Sequence, residues 1–174
     1  SSEGLNNVHD CAIIKKSETD SPIAFQISGH KPELMAKAGK FLESRADIID
    51  INMGCPVKKV VCGNDGSALM KTPELAQDIV RAVKDAVNIS VSVKFRLGYT
   101  ADDMNSVKFG EMMQEAGAEF ITIHARTRAQ MYSGVADWAK IKDLKSAVDV
   151  PVFANGDVTS IETAEKCLEL SCDD

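Results

Sequence analysis

An α/β fold of the TIM (β/α)8 barrel class is predicted by three features of this 174-residue chain. Five apolar, mostly β-branched runs at residues 23–27, 48–51, 91–96, 120–124 and 150–155 read as buried strands. A helical pattern follows each run, which is the grammar of a parallel sheet. No GxGxxG follows any of them, so a dinucleotide-binding doubly wound sheet is disfavoured. Five strands cannot close an eight-stranded barrel, and the expectation is an incomplete segment from its middle.

The elements follow in order. Residues 5–14 read as a weak helix and 15–21 as a solvated loop. After the first strand, Ser28-Gly29 leads to a helix over 32–43, with Pro32 suited to its first turn. The second strand ends in a longer loop over 58–71. Thr72 and Pro73 are placed to start a helix reaching 87, Thr72 as N-cap and Pro73 at the first helical position. Its Leu75, Ile79, Val83 and Val87 make an apolar stripe at spacing four. Further helices are predicted over 103–116, stopped by Gly117, over 138–148 and over 160–170. Thr159 and Glu162 suggest a capping box for the last.

Composition narrows the class. With 44% hydrophobic and 26% charged residues, the chain has enough apolar material for one domain with a core. The five cysteines are odd in number and form no CxxC pair, which argues against a zinc site or disulfide framework and suggests a reducing compartment. No apolar run approaches membrane-spanning length and the first residues lack a signal pattern, so a cytoplasmic location is expected. A net charge of −6 excludes a protein that coats nucleic acid, and any anionic partner must meet a local cluster.

Residues 48–60, IIDINMGCPVKKV, hold the most informative stretch. Asp50 alone interrupts its apolar run. Gly54 and Pro56 break the strand and lift Cys55 off its carboxyl end, where parallel α/β folds place their chemistry. Free cysteines are more often small buried hydrophobes, and it is the strand-end setting that singles out this one.

In a parallel barrel all strand ends share one face. The groups collected there are Gln26, Asn52, Cys55, Lys94, Arg96, His124, Arg126, Arg128, Asn155, Gly156 and Asp157, with Lys58 and Lys59 beside them. Six cations thus gather on one face of an acidic chain. Lys94 stands inside the apolar run VSVKFRL, where a lysine is costly unless a ligand or carboxylate satisfies it. Together these groups suggest an anionic ligand rich in hydrogen bonds, either a phosphorylated cofactor or a phosphorylated sugar.

NMGCPVKKV, the continuation GNDGSAL, VKFRLG, TIHARTR and FANGD resemble the tRNA-dihydrouridine synthases, in the same order, from about Gln26 onward. The bacterial type is the most similar, on DINMGCP and HARTR. The resemblance implies an FMN-dependent, NADPH-consuming oxidoreductase that reduces uridine to dihydrouridine in tRNA. It implies that Cys55 is the proton donor to uracil C5, with hydride from the flavin N5 to C6. Gln26 and Lys94 then hold the flavin ring, and His124, Asn155, Gly156 and Asp157 complete the cofactor site. The resemblance further implies that Asn52 and Arg126 face the target uracil and that no metal is needed. An ordinary thiol is mostly protonated at neutral pH and can donate, although neighbouring cations favour the thiolate.

Residues 1–174 then represent the central part of one FMN-binding barrel domain. The first strand, the last strand with its Gly-Arg turn, and the C-terminal helical tRNA-binding domain of that family have no counterpart among them. An FMN barrel acting on a free pyrimidine, of the dihydroorotate or dihydropyrimidine dehydrogenase type, is the nearest alternative. A non-catalytic RNA-contact fragment is another. The basic run HARTR and the lysines after Cys55 favour a polyanionic substrate over a free base.

Overall fold

The computed structural model describes residues 21–171. Strands β1 (Ala24–Ile27), β2 (Ile48–Asn52), β3 (Ser90–Arg96), β4 (Phe120–His124) and β5 (Val152–Asn155) form one parallel sheet in chain order. A doubly wound sheet reverses direction at a switch point. Here every crossover adds its strand to the same edge, which builds an arc of a barrel with helices on one side. The predicted helix over 5–14 lies outside the described residues. No helix among the described residues is long and apolar enough to cross a membrane.

Helices α1 (Pro32–Leu42), α2 (Lys58–Val61), α3 (Pro73–Ala86), α4 (Ser106–Glu115), α5 (Ala139–Ala147) and α6 (Ile161–Ser171) occupy the connections. The period-two geometry of a strand sends alternate side chains to opposite faces. Ile49, Ile51, Val91, Val93, Phe95, Ile121 and Ile123 therefore share the outer face, fully buried against the helices. From the other side α3 contributes Ala76, Ile79, Val80 and Val83, and α4 contributes Phe109 and Met113. Phe95 and Phe109 meet edge to face with ring centroids 5.0 Å apart, tying β3 to α4.

The opposite face is mostly polar, with Phe120 and Phe153 meeting edge to face on β4 and β5. The register sets Gln26, Asp50, Ser92 and Phe120 side by side. One layer higher come Asn52, Lys94, Thr122 and Phe153, and above them Arg96, His124 and Asn155. The sheet thus turns its hydrophobic side to the helices and its chemistry to the barrel interior.

Several local expectations change. The stretch 58–71 is not a plain loop: it holds α2 and a 3-10 segment, Gly66–Lys71. The glycines and Asn64 mask these short turns, which backbone bonds such as Val61 N to Val57 O close. Thr72 precedes α3 but its side chain caps nothing; its carbonyl accepts from Ala76 N. A cap is worth about 1 kcal/mol, against about 1.5–3 kcal/mol for each buried Ile or Val, so the apolar stripe decides where α3 forms. At α6 the capping pair is Ser160 and Thr163, not Thr159 and Glu162. Ser160 Oγ accepts from Thr163 N at 3.2 Å, and Thr163 Oγ1 accepts from Ser160 N at 2.8 Å. α4 starts at Ser106 instead of 103, because Asp103 is spent on a bridge to Thr100. β5 starts at Val152, since Pro151 has no N–H to give a ladder.

Candidate active site

The turn after β2 is built around Asn52. Its Oδ1 accepts from Gly54 N at 3.1 Å and Cys55 N at 2.9 Å, an Asx-type closure that fixes where Cys55 leaves the strand. The other end of that amide donates to Gln26 Oε1 at 2.7 Å. Gln26 donates in turn to Asp50 Oδ2 at 2.5 Å, and Asp50 Oδ1 accepts from Ser92 Oγ at 2.7 Å. Asn52 is therefore oriented from both sides, and so is the thiol that follows it.

The Cys55 carbonyl is held as firmly. It accepts from Ser67 N at 3.1 Å and from Ser67 Oγ at 2.9 Å. Between them Gly66 has a φ of +59°, and a Cβ there would stand 2.9 Å from the Cys55 carbonyl oxygen. Only glycine meets both conditions without moving the turn.

Lys94 reaches from β3 to Asn155 Oδ1 at 3.1 Å. Burial first, and then the Arg96 cation, lower its pKa from the ordinary lysine value, while Asp50 and Cys55 act in the opposite sense. Arg96, 2% exposed, serves a different purpose. Its Nε donates to Gly54 O at 2.8 Å, and its Nη1 donates to Thr127 O at 3.0 Å and Met131 O at 2.8 Å. One guanidinium thus bolts the Cys55 turn to the loop after β4.

That loop carries Tyr132, 67% exposed, lying 5.6 Å from the Arg96 guanidinium and edge-on to His124 at 6.4 Å. Arg126 lies behind the cavity wall, where its Nη1 donates to His124 Nε2 at 3.4 Å. It donates to Ser133 O, Gly134 O and Asp157 Oδ2, the last at 2.7 Å. Asp157 also accepts from Ala136 N at 2.8 Å, and its hydrogen bond from Arg126 holds its pKa below the usual carboxylate value. Gly156 has a φ of +110°, and a Cβ there would stand 3.0 Å from His124 Nε2. Glycine at this turn keeps the imidazole in place.

Gln26, Asn52, Cys55, Lys94, His124 and Asn155 share one cavity of about 310 Å³ with Gly54, Pro56, Arg96 and Tyr132. Arg126, Gly156 and Asp157 do not line it but buttress its wall. Of the six cations placed on this face by the sequence, only Lys94 and Arg96 line the cavity. The motifs of the sequence do not mark Asp50 and Tyr132 as site residues. The first was legible as the one charge interrupting an apolar strand. The second sits in a polar loop with no periodicity to mark it.

Burial first, and then Arg96, Lys94 and Arg126, push the His124 pKa down to about 4. The imidazole is therefore neutral at pH 7. In the unfolded chain it takes up a proton below about 6.5, whereas the folded chain resists until about 4. Stability from this residue is present above that window and is lost as pH falls through it. Thermal unfolding of His124→Gln across the window should show a shallower loss on acidification than the parent. Equal slopes would mean that the fold does not hold this histidine neutral.

The family model described as Dihydrouridine synthase (Dus) matches residues 5–174. The chain belongs to the dihydrouridine synthase family. Over 158 residues it is 44% identical to "Probable tRNA-dihydrouridine synthase 1" of Synechocystis, covering 90% of this chain and 44% of that protein. It is 46% identical over 145 residues to "tRNA-dihydrouridine synthase B" of Vibrio cholerae, covering 83% of this chain and 45% of that one. The chain thus spans about half the length of the curated relatives it matches. A solved member of the enolase superfamily from Salmonella Typhimurium superposes with a TM-score of 0.57 at 20% identity, over 82% of this chain and 35% of that one. That likeness shows the fold alone. The dihydrouridine synthase family is built on the TIM barrel, and the five strands described here are an arc of one.

Proposed function

We propose that this chain is the central part of an FMN-binding barrel domain that reduces uridine to 5,6-dihydrouridine in tRNA. The observation that carries the reading is that Cys55 and Lys94 line one cavity together with Asn52, Gln26 and Asn155. Family membership supplies the reaction class, and the wall chemistry suits the cofactor. Lys94 is half-buried and gives one hydrogen bond, to an amide, leaving ammonium donors for the carbonyl-rich edge of a flavin. Gln26 and Asn155 line the same wall with amide groups, and His124 stands beside them, held by the Gly156 turn. Gly156 and Asp157 shape this side of the site from behind, and the Asp157–Arg126 pair keeps the loop after β4 against it.

Gln26, Lys94, His124 and Asn155 would hold FMN, whose chemistry there would be hydride supply to uracil C6 with NADPH as the reductant. The protein supplies the rest. Cys55 delivers a proton from Sγ to C5, from a turn whose backbone is fixed by Asn52, Ser67 and Arg96. Asn52 lines the cavity one layer below Arg96 and His124, and exposed Tyr132 stands at its edge, so the two frame the entering uracil. Neutral His124 accepts from Arg126 Nη1 at Nε2, 3.4 Å away, and so keeps its other ring nitrogen as a donor without adding positive charge. Arg126 acts on the substrate side through the loop it holds. On this reading the remaining strands and the helical tRNA-binding domain belong to other parts of the full-length protein.

Purified full-length protein should show visible flavin absorbance and form dihydrouridine in unmodified tRNA with NADPH, while free uracil stays unreduced. A flavoprotein that reduces free uracil and ignores tRNA would overturn the substrate. A protein that retains no flavin would overturn the whole reading.

A further inference from the structure

A second group of cations lies outside the uridine pocket, on the same strand-end rim. Tyr99 follows β3, and Lys71 ends the 3-10 segment after the Cys55 turn. Lys71 Nζ stands 4.5 Å from the centroid of the Tyr99 ring, and the Arg128 guanidinium stands 5.2 Å from it. The platform is rigid: Arg128 N donates to Gly98 O at 2.9 Å and Ala129 N donates to Tyr99 O at 3.0 Å. Beside it runs a groove of about 410 Å³, lined by Lys71, Thr72, Leu75, Tyr99, Asn64 and His30 among others.

The charges here are unpaired, whereas four on the helical flank are paired. Lys40, Lys84, Lys108 and Arg81 each meet a carboxylate within ion-pair distance. Among the described residues neither Lys71 nor Arg128 does, nor do the neighbouring Lys58 and Lys59. The carboxylate of Asp65, on the same loop, is taken by His30 at 2.7 Å. Arg128 Nε is buried and has no hydrogen-bond partner among the described residues. Leaving a buried charged donor unsatisfied is costly, and such a group calls for an explanation. Two cations held on one aromatic ring, unpaired in a chain of net charge −6, fit a polyanion that passes over the rim.

We propose that Lys71, Tyr99 and Arg128 form a backbone-binding site for the substrate RNA, gripping phosphates of nucleotides outside the reduced uridine. Lys71 and Arg128 supply the charge, and the Tyr99 ring holds both at a fixed spacing. The proposal rests on the function proposed above. It adds a contact that sets affinity and register rather than chemistry.

The test is binding of unmodified tRNA to the FMN-loaded full-length protein across a salt series, with turnover measured at saturating tRNA. Lys71→Ala removes an exposed side chain and should reduce the salt slope of log K by about one, with flavin content and saturated turnover unchanged. Tyr99→Leu should weaken binding roughly two- to fivefold, and Tyr99→Phe, which keeps the ring, should restore it. An unchanged affinity and salt slope in Lys71→Ala, in a protein that still reduces tRNA, would overturn this site alone. Loss of turnover at saturating tRNA with the slope intact would also overturn it, placing Lys71 in the chemistry. A parent protein that neither binds nor reduces tRNA would remove the function on which the site rests.

Discussion

Cys55→Ala in the full-length protein should abolish dihydrouridine formation while leaving flavin retention and NADPH oxidation intact. The thiol is the one proton donor of its kind on the cavity wall, and loss of a general acid typically costs about 10²–10⁴-fold. The substitution removes only a sulfur. The Cys55 backbone stays tied by Asn52 Oδ1 at its N–H and by Ser67 at its carbonyl, so the turn keeps its shape. The contrast with the other described cysteines sharpens the test. Cys62 is exposed just after α2, and Cys167 is buried in α6. Alanine at Cys62 should leave activity unchanged. Measuring dihydrouridine in tRNA by nucleoside analysis alongside NADPH consumption separates the two half-reactions. Parent-like turnover in Cys55→Ala would assign the proton to another group, and loss of NADPH oxidation would place Cys55 in the cofactor site instead.

Arg96→Leu should cost the fold about 3–5 kcal/mol and reduce turnover even where the protein remains folded. The buried guanidinium serves three carbonyls, Gly54 O, Thr127 O and Met131 O, from two different loops. Leucine fills part of the volume but donates nothing. Each buried carbonyl left without a partner costs about 1–3 kcal/mol. The Cys55 turn and the Tyr132 loop would also lose their common anchor, so the thiol and the mouth would no longer be held in one geometry. Arg96→Lys should recover only part of the loss, because an ammonium cannot reproduce a planar fork spanning three acceptors. Denaturant unfolding with turnover measured below the transition reads both effects. A stability within 1 kcal/mol of the parent, with full turnover, would show that these bonds are replaceable.

The sequence alone determined the arc of the barrel, because strand and helix periods are local. Alternation of apolar runs with helical stripes predicted all five strands to within two residues, and the Pro-initiated helices α1 and α3 at their starts. It also placed Cys55, Lys94, His124 and Asn155 at strand ends, and the parallel register brings them together in one cavity. Short turns escaped, since α2 and the 3-10 segment depend on a few backbone bonds between Val57 and Lys71.

Only the tertiary structure decided which way the charged groups point. Arg96 and Arg126 look alike in sequence, each one position beyond an apolar residue near a strand end. Arg96 turns inward to bolt two loops together, and Arg126 turns back to Asp157 and the loop at Ser133 and Gly134. Arg128 leaves the cavity altogether for Tyr99. No periodicity encodes these choices. Each follows from which carbonyls, carboxylates and rings the fold leaves within reach of a buried cation, and from the cost of burying that cation without them.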